Sequence, residues 1–586
     1  MKIKAIYLLL TTVLFSLSCE SQKGLEEHPN VIVILSDDQG WGDFSFTGNA
    51  NIQTPNIDQI AREGVSFENF YVQAVCSPTR AEFLTARYSY RGGIRSTSEG
   101  GERLDADETT IADVFKAAGY QTAAYGKWHN GMQHPYHPNA RGFDDFYGFC
   151  SGHWGNYFSP MLEHNGEIVK GKGFIIDDLT DKGIEFIEEN KDQPFFLYLP
   201  YNTPHSPMQV PDKWWNKVKD REISMISGHP SEDNQYTKAA IALCENIDWN
   251  VGRITKKLEE LGIEENTIVV YFNDNGPNSF RWNGGMRGKK GFVDEGGVRS
   301  VLFLKWKSKI KSQIIHQLSG AIDLLPTLAE LCNIDYETNK PLDGQSLDPL
   351  LSNELSDWED RTMVNYWQGK VSLRDQQFRL DNKDRLYDIL RDRGQQTDVK
   401  DQFPEEYEAF MNHKNLIQEE IESELGGEDT RPFSIGFEGA KFTHIPARDG
   451  VGHGNIVRSN RWPNCSYFTN WISVKDSITW NVEVAQAGQY QVELYYTCEA
   501  GDEGSSIELN VGENSLQSVI SEPFESEWEY PEKDRYSRQE SYTKAFKLMK
   551  MGIITLEKGK KLMTLKAVQK PGDKVIDFRM LMFKKT

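Results

Sequence analysis

At 586 residues the chain has room for two or three domains, and its 38% hydrophobic and 26% charged residues are those of an ordinary globular protein. A net charge of −22 argues against nucleic acid or an anionic membrane surface as an overall partner. Any anionic substrate must therefore meet positive charge that the site supplies locally.

Lys2 and Lys4 precede an apolar run from Ala5 to Leu17 that is too short to span a bilayer and reads as a secretory signal. The run ends at Leu17-Ser18-Cys19, which resembles a bacterial lipoprotein cleavage site. Residues 1–19 are accordingly expected to be a signal peptide, with a lipid anchor on mature Cys19. That places the protein in the periplasm or on the outer membrane or surface of a bacterium. Seven cysteines without a CxxC spacing offer neither a zinc ribbon nor a redox pair. Cys465 and Cys498 are the one combination to watch for a disulfide, because both lie in the C-terminal module.

The apolar β-branched run Val31 to Leu35 predicts a buried parallel strand ending on Asp37 and Asp38. Helices are predicted over 56–64, 111–118, 177–190 and 234–261, and strands over 121–125, 195–199 and 267–272. Three of these strands exit into polar clusters: Lys127 with His129, then His205, then Asp274 with Asn275. Strands alternating with helices imply a large, mostly parallel sheet with helices on both faces, and such sheets bind ligands beyond the carboxyl ends of their strands. Four strand ends thus deliver one site. Further on, residues 319–331 read as a helix, Val371 to Leu380 as a strand, and 404–425 as an acidic amphipathic helix. Residues 426–432 have the composition of a linker, and the apolar runs from 477 to 583 suggest a β-sandwich. Domains are expected at 29–344 (α/β core), 345–425 (smaller α+β subdomain) and 433–586 (sandwich).

Cys76 falls just before a predicted helix in which Pro78 suits the first position and Arg80 lies one turn in. A helix N-terminus favours an anion. Asp37, Asp38, Asp274 and Asn275 are hard oxygen donors, which select calcium or magnesium over zinc. Between Arg281 and Arg299, Arg281, Arg287, Lys289, Lys290 and Arg299 stand against only Asp294 and Glu295, a local charge reversal suited to an anion. A divalent metal with Lys and Arg fits a tetrahedral anion such as sulfate or phosphate.

Cys76-Ser77-Pro78-Thr79-Arg80 with Leu84-Thr85-Ala86-Arg87 resembles the first signature of the type I, formylglycine-dependent sulfatases, of the alkaline phosphatase superfamily. The stretch from Gly119 to His129 resembles their second signature, and Asp274-Asn275-Gly276 and Lys290 to Arg299 resemble two further family stretches. Thr79 stands where Ser is usual and Ala86 where Gly is usual. The resemblance implies that a separate maturation enzyme oxidises Cys76 to formylglycine (3-oxoalanine), whose hydrated aldehyde is nucleophile and metal ligand. It further implies a calcium ion, rather than magnesium, on Asp37, Asp38, Asp274 and Asn275. Arg80 and Lys127 would hold the diol, His129 would act as base on its second hydroxyl, and Lys290 and His205 would contact sulfate, with His205 protonating the leaving alcohol.

His134, His137, His153 and Trp154 follow in a loop-rich stretch suited to shaping the substrate pocket. Residues 431–586 loosely resemble carbohydrate-binding modules, and Trp462, Trp471, Tyr495, Tyr496 and Trp528 either stack on sugars or fill the sandwich core. The expected substrate is a sulfated carbohydrate, such as an oligosaccharide of ulvan, carrageenan or fucan. Two alternatives remain: a phosphodiesterase or phosphonate monoester hydrolase of the same superfamily, and an inactive sugar-binding surface lipoprotein.

Overall fold

The computed structural model describes residues 28–307, 309–352 and 358–586. The expected signal peptide and the Cys19 anchor lie outside them. An eleven-stranded sheet organises residues 30–320. Its main strands are β1 (Asn30–Asp37), β2 (Val65–Tyr71), β3 (Gln121–Lys127), β4 (Asp145–Phe149), β5 (Met161–His164), β6 (Glu167–Lys170), β7 (Phe195–Pro204), β8 (Thr267–Asn273), β9 (Arg299–Lys305) and β10 (Gln313–Ile315). They run in the order β10-β2-β9-β8-β1-β7-β3-β4-β5-β6, and a two-residue strand, Ser319–Gly320, also pairs with β2. The central five, β8 to β4, are all parallel, while β9, β5 and β6 run antiparallel to their neighbours.

β1 shows why the sheet lies in the middle of the domain. Val31, Val33 and Leu35 enter one apolar cluster and Ile32 and Ile34 the other, all fully buried. A strand buried on both faces needs a continuous apolar run, which this one has. Helices α1 (Pro55–Glu63), α4 (Ile175–Asn190) and α6 (Asn234–Leu261) cover one face; α2 (Cys76–Thr85) and α3 (Ile111–Ala117) cover the other. A short α5 (Asp212–Val218) packs on α6.

Three local expectations need correction. Cys76 is the first residue of α2 rather than the residue before it, because Val75 is the extended N-cap; Pro78 then sits third, where its missing N–H costs nothing. The stretch 371–380 is a hairpin, Lys370–Arg374 against Phe378–Leu380, turned by the Asp375 carboxylate, which accepts from the Gln377 and Phe378 amides at 2.8 and 2.6 Å. The helix expected from 319 starts only at Leu324, since Ser319–Gly320 is spent on pairing with β2 and Ala321–Asp323 is a 3₁₀ turn.

The hairpin belongs to a four-stranded antiparallel sheet, completed by Met363–Trp367 and Leu386–Asp388, with the helix Pro404–Leu425 beside it. Residues 433–585 form two six-stranded sheets that enclose a third apolar cluster, in which Trp471, Trp480 and Tyr496 are buried. Trp462 and Trp528 stay exposed, so the aromatic residues divide between core and surface. Cys465 and Cys498 are both buried free thiols, and no disulfide joins them. The segment 426–432 is anchored: the Arg431 guanidinium donates to the Arg103 and Gly93 carbonyls at 2.8 and 3.0 Å and pairs with Asp105 at 2.9 Å.

Candidate active site

β8, β1, β7 and β3 are consecutive parallel strands, so their carboxyl ends lie side by side on one edge of the sheet. There they bring Asp37, Asp38, Lys127, His205, Asp274 and Asn275 together around Cys76 at the head of α2. One ligand atom each from Asp37, Cys76 and Asp274 lies within 4.8 Å of the others, and Asp37, Asp38 and His205 form a second such group.

Buried charge pairs hold the carboxylates. Lys127 Nζ donates to Asp37 at 2.6 Å, with both side chains fully buried. Arg80 Nη2 donates to Asp274 at 2.9 Å, and its Nη1 to the Lys127 carbonyl at 2.7 Å. Lys290 Nζ reaches the two Asp38 oxygens at 2.7 and 2.9 Å, and the Asp38 amide donates to Asp274 at 3.1 Å. Thr79 ties α2 to β8: its hydroxyl donates to the Asp274 carbonyl at 2.6 Å and accepts from the Gln73 amide. Asp38 and His129 both have φ of 66°, a region uncommon outside glycine and often held at functional sites.

Burial pushes the Asp37 carboxyl up, but Lys127, His205, Arg80 and Lys290 outweigh it and hold it well below the usual range. Asp274 goes the other way: burial and the neighbouring Asp37 carboxylate raise it. The Cys76 thiol is also raised, by burial, which disfavours a thiolate nucleophile. Burial, aided by Lys127, drives His129 well below its usual value, so its imidazole is neutral. The Thr97 carbonyl at 2.9 Å can only accept, so Nε2 carries the proton; Nδ1 is buried, has no partner and keeps its lone pair.

A cation would find donors here. Asp37 Oδ1 and Asn275 Oδ1 are buried oxygens with no hydrogen-bond partner, although Asn275 Nδ2 is fixed on Asp38 at 2.9 Å. Unpaired buried oxygens on a carboxylate-rich set, with one carboxyl raised by its neighbour, suit a hard divalent cation. Asp37, Asp38, Asp274 and Asn275 therefore fit one.

The basic window divides. Arg281 pairs with Asp43, Arg287 with Asp294 and Asp381, Arg299 with Glu295, and Lys289 donates to the Asn278 carbonyl. Of these cations Lys290 alone pairs with a site carboxylate, and Arg281 also donates to the Asp38 carbonyl at 3.0 Å, so the apparent local charge reversal is mostly structural. The loop histidines divide as well. His134 stacks on His137, whose Nδ1 accepts from the Asn139 amide and whose Nε2 lies 2.7 Å from Glu163, an internal pair away from the site. Trp154 stacks on Phe149. His153, in contrast, stacks on His205 with ring centres 5.4 Å apart and planes at 14°.

A family model described as Sulfatase matches residues 29–334, which carry every one of these strand ends. The chain belongs to the sulfatase family. The uncharacterized sulfatase YdeN of Escherichia coli (strain K12) is 30% identical over 428 residues, covering 61% of this chain and 74% of the relative. The N-acetylgalactosamine-6-sulfatase of Mus musculus is 29% identical over 372 residues, 57% of this chain and 68% of the relative. Among solved structures, Ps i-CgsB in complex with k-i-k-neocarrahexaose has a TM-score of 0.60 and 28% identity, covering 67% of this chain and 93% of that one. This sulfatase is a sulfuric ester hydrolase of the alkaline phosphatase superfamily.

Sequence reasoning missed Glu540 and Ser541. Both come from the C-terminal β-domain and lie against His153 and Ser206. They stand 335 residues or more beyond His205 in a loop without a motif, and no sequence signal marks them.

Proposed function

We propose that the enzyme hydrolyses sulfate esters of a carbohydrate, with Cys76 matured to formylglycine by a separate enzyme and a calcium ion on Asp37, Asp38, Asp274 and Asn275. The observation that carries this reading is the meeting of Cys76 with Asp37 and Asp274 within 4.8 Å, beside buried oxygens left without partners. Calcium and the formylglycine hydrate supply charge stabilisation, an oxygen nucleophile and a second hydroxyl through which sulfate is released.

The chain's own residues do the rest. Lys127 and Arg80 hold Asp37 and Asp274 in place. Three cations, Arg80, Lys127 and Lys290, balance three carboxylates, so a divalent cation would leave net positive charge for the sulfate. Lys290, partly exposed beside Asp38, would face the substrate oxygens. His205 Nδ1 lies 2.7 Å from the Ser206 carbonyl and donates to it, so in the protonated ring Nε2 carries the second proton, and that is the one it would give to the leaving alcohol. Neutral His129, with Nδ1 free, would take a proton when sulfate departs.

A carbohydrate substrate is supported by the relative named for N-acetylgalactosamine-6-sulfate and by the structural neighbour that holds a neocarrahexaose. The N-terminal sequence supports export, with Cys19 as lipid anchor, and exposed Trp462 and Trp528 leave the sandwich aromatic surface for sugars. Mass spectrometry of the Cys76 peptide after co-expression with a maturation enzyme should find the aldehyde; a thiol in every active preparation would refute the reading. Matched aryl sulfates and phosphates should show preferred sulfate release. A large phosphate preference would point instead to the phosphodiesterase or phosphonate hydrolase activity of related enzymes.

A further inference from the structure

The C-terminal β-domain meets the catalytic edge at Asn464 and Cys465, which donate to the Thr97 and His153 carbonyls at 2.9 and 2.7 Å, and through a loop at residues 533–541. Residues 533–535 lie along the segment that follows His205: the Val210 amide donates to the Lys533 carbonyl at 3.3 Å and the Arg535 amide to the Met208 carbonyl at 2.9 Å. Arg538 fixes the next turn by donating to the Gly155 and Ser541 carbonyls at 2.6 and 2.8 Å. The loop therefore has little freedom where it carries Glu540 and Ser541.

Two histidines are clamped as a result. The Ser206 hydroxyl donates to the Glu540 carboxylate, and the Ser206 carbonyl accepts from His205 Nδ1. Glu540 also lies 3.7 Å from His153 Nε2, while the Ser541 hydroxyl bonds His153 Nδ1. His153 in turn stacks flat on His205. One carboxylate thus holds both the backbone that sets the edge of the His205 ring and the ring that sets its plane. Burial pushes the Glu540 carboxyl up, but His153, His205, the Ser206 hydroxyl and Lys290 outweigh it and bring it to about 2. Burial also takes His153 down to about 3, so at neutral pH the hydrogen bond from Ser206 is the contact that holds the carboxylate.

We propose that Glu540 is a positioning residue for the sulfatase reaction, supplied by the C-terminal β-domain to aim His205 at the leaving oxygen. The domain is then part of the catalytic machinery as well as an appended module. The proposal rests on the reading of His205 as the acid. Its role matters only when the leaving alcohol needs a proton, because a strongly acidic phenol departs unaided.

The test is a series of aryl sulfates from 4-nitrophenyl to 4-methoxyphenyl sulfate, with kcat/KM measured for the wild type, Glu540→Ala, Glu540→Gln and His205→Ala. Glu540→Ala should lose about 30-fold or more on the poorest leaving group, part of the roughly 10²–10⁴-fold that a general acid contributes, and less than about 3-fold on 4-nitrophenyl sulfate. Glu540→Gln, which keeps an acceptor for Ser206, should recover part of the loss. Activity on 4-nitrophenyl sulfate reports that each variant is folded and matured. A uniform loss across the series, or none, in Glu540→Ala beside a leaving-group-dependent His205→Ala overturns the role of Glu540 alone. A His205→Ala variant whose loss is uniform overturns the acid assignment itself.

Discussion

Two buried charge clusters, one around Glu295 and one around Asp37 and Asp274, are built from the same residue types and do different work. Around Glu295, Arg379 Nε donates at 2.8 Å, Arg299 at 3.2 Å and the Tyr71 hydroxyl at 3.0 and 2.9 Å, with Arg374 at 3.5 Å. Both carboxylate oxygens accept. The carboxylate is fully satisfied, although Arg374 Nη2 and Arg379 Nη2 are buried without partners, and the cluster fastens the small antiparallel sheet, which carries both arginines, to β2 and β9. At the ends of β1 and β8, three carboxylates and Asn275 leave Asp37 Oδ1 and Asn275 Oδ1 with nothing to accept. Charge alone does not mark a site. Unsatisfied oxygens beside a reactive group do, because a buried polar atom without a partner is costly unless a ligand completes it.

The contrast can be broken most forcefully at Cys76. Cys76→Ala should lower kcat by about 10⁴-fold or more, the scale on which nucleophile loss acts, with the melting temperature little changed. Glu295→Gln should keep its activity per folded molecule. A similar kcat loss in both would erase the distinction between the clusters.

Stability separates them less sharply. Lys127→Met strands Asp37 in a fully buried position and should cost about 3–5 kcal/mol by chemical denaturation, as well as activity. Acid sharpens the comparison. Burial raises the Glu295 carboxyl, but Arg379, Arg374 and Arg299 bring it down to about 2 from 4.5. A depressed carboxyl contributes stability above its unfolded value and loses it as pH falls through the folded one. About 3 kcal/mol should therefore disappear between pH 4.5 and 2, and Glu295→Gln should flatten that limb.

Calcium should act on the open cluster only. A hundredfold excess over Kd should stabilise the folded enzyme by about 2.7 kcal/mol, a gain that chelation removes. Asp38→Asn should blunt the response and Glu295→Gln should keep it, as thermal melts with and without chelator will read. Smallest of all, Trp462→Ala should leave turnover of 4-nitrophenyl sulfate unchanged, since this exposed ring sits on the β-domain surface.

What could be read in advance follows from how each part is encoded. Val31 to Leu35, Phe195 to Leu199 and Thr267 to Phe272 are local apolar runs, and each announces both a buried strand and the polar residues at its end. Parallel strands share a direction, so neighbouring carboxyl ends had to meet, and Asp37, Asp38, Lys127, His205, Asp274 and Asn275 were nameable without coordinates. The hairpin at 370–380 was not, because its turn depends on a single Asp375 side chain. Nor was the fate of the basic window. Arg281, Arg287 and Arg299 find their acids on Asp43, Asp381 and Glu295, two of them far away in sequence.

The sequence by itself determined the strand-helix alternation, the donor set at the strand ends and a helix starting beside Cys76, since each is written within a dozen residues by periodicity and side-chain chemistry. Only the tertiary structure decided which charges cancel, which oxygens stay open, and that Glu540 and Ser541 of the C-terminal domain stand behind His153 and His205. Those outcomes depend on contacts between residues hundreds of positions apart, where burial makes every unpaired charge costly and local pattern carries no record of the partner.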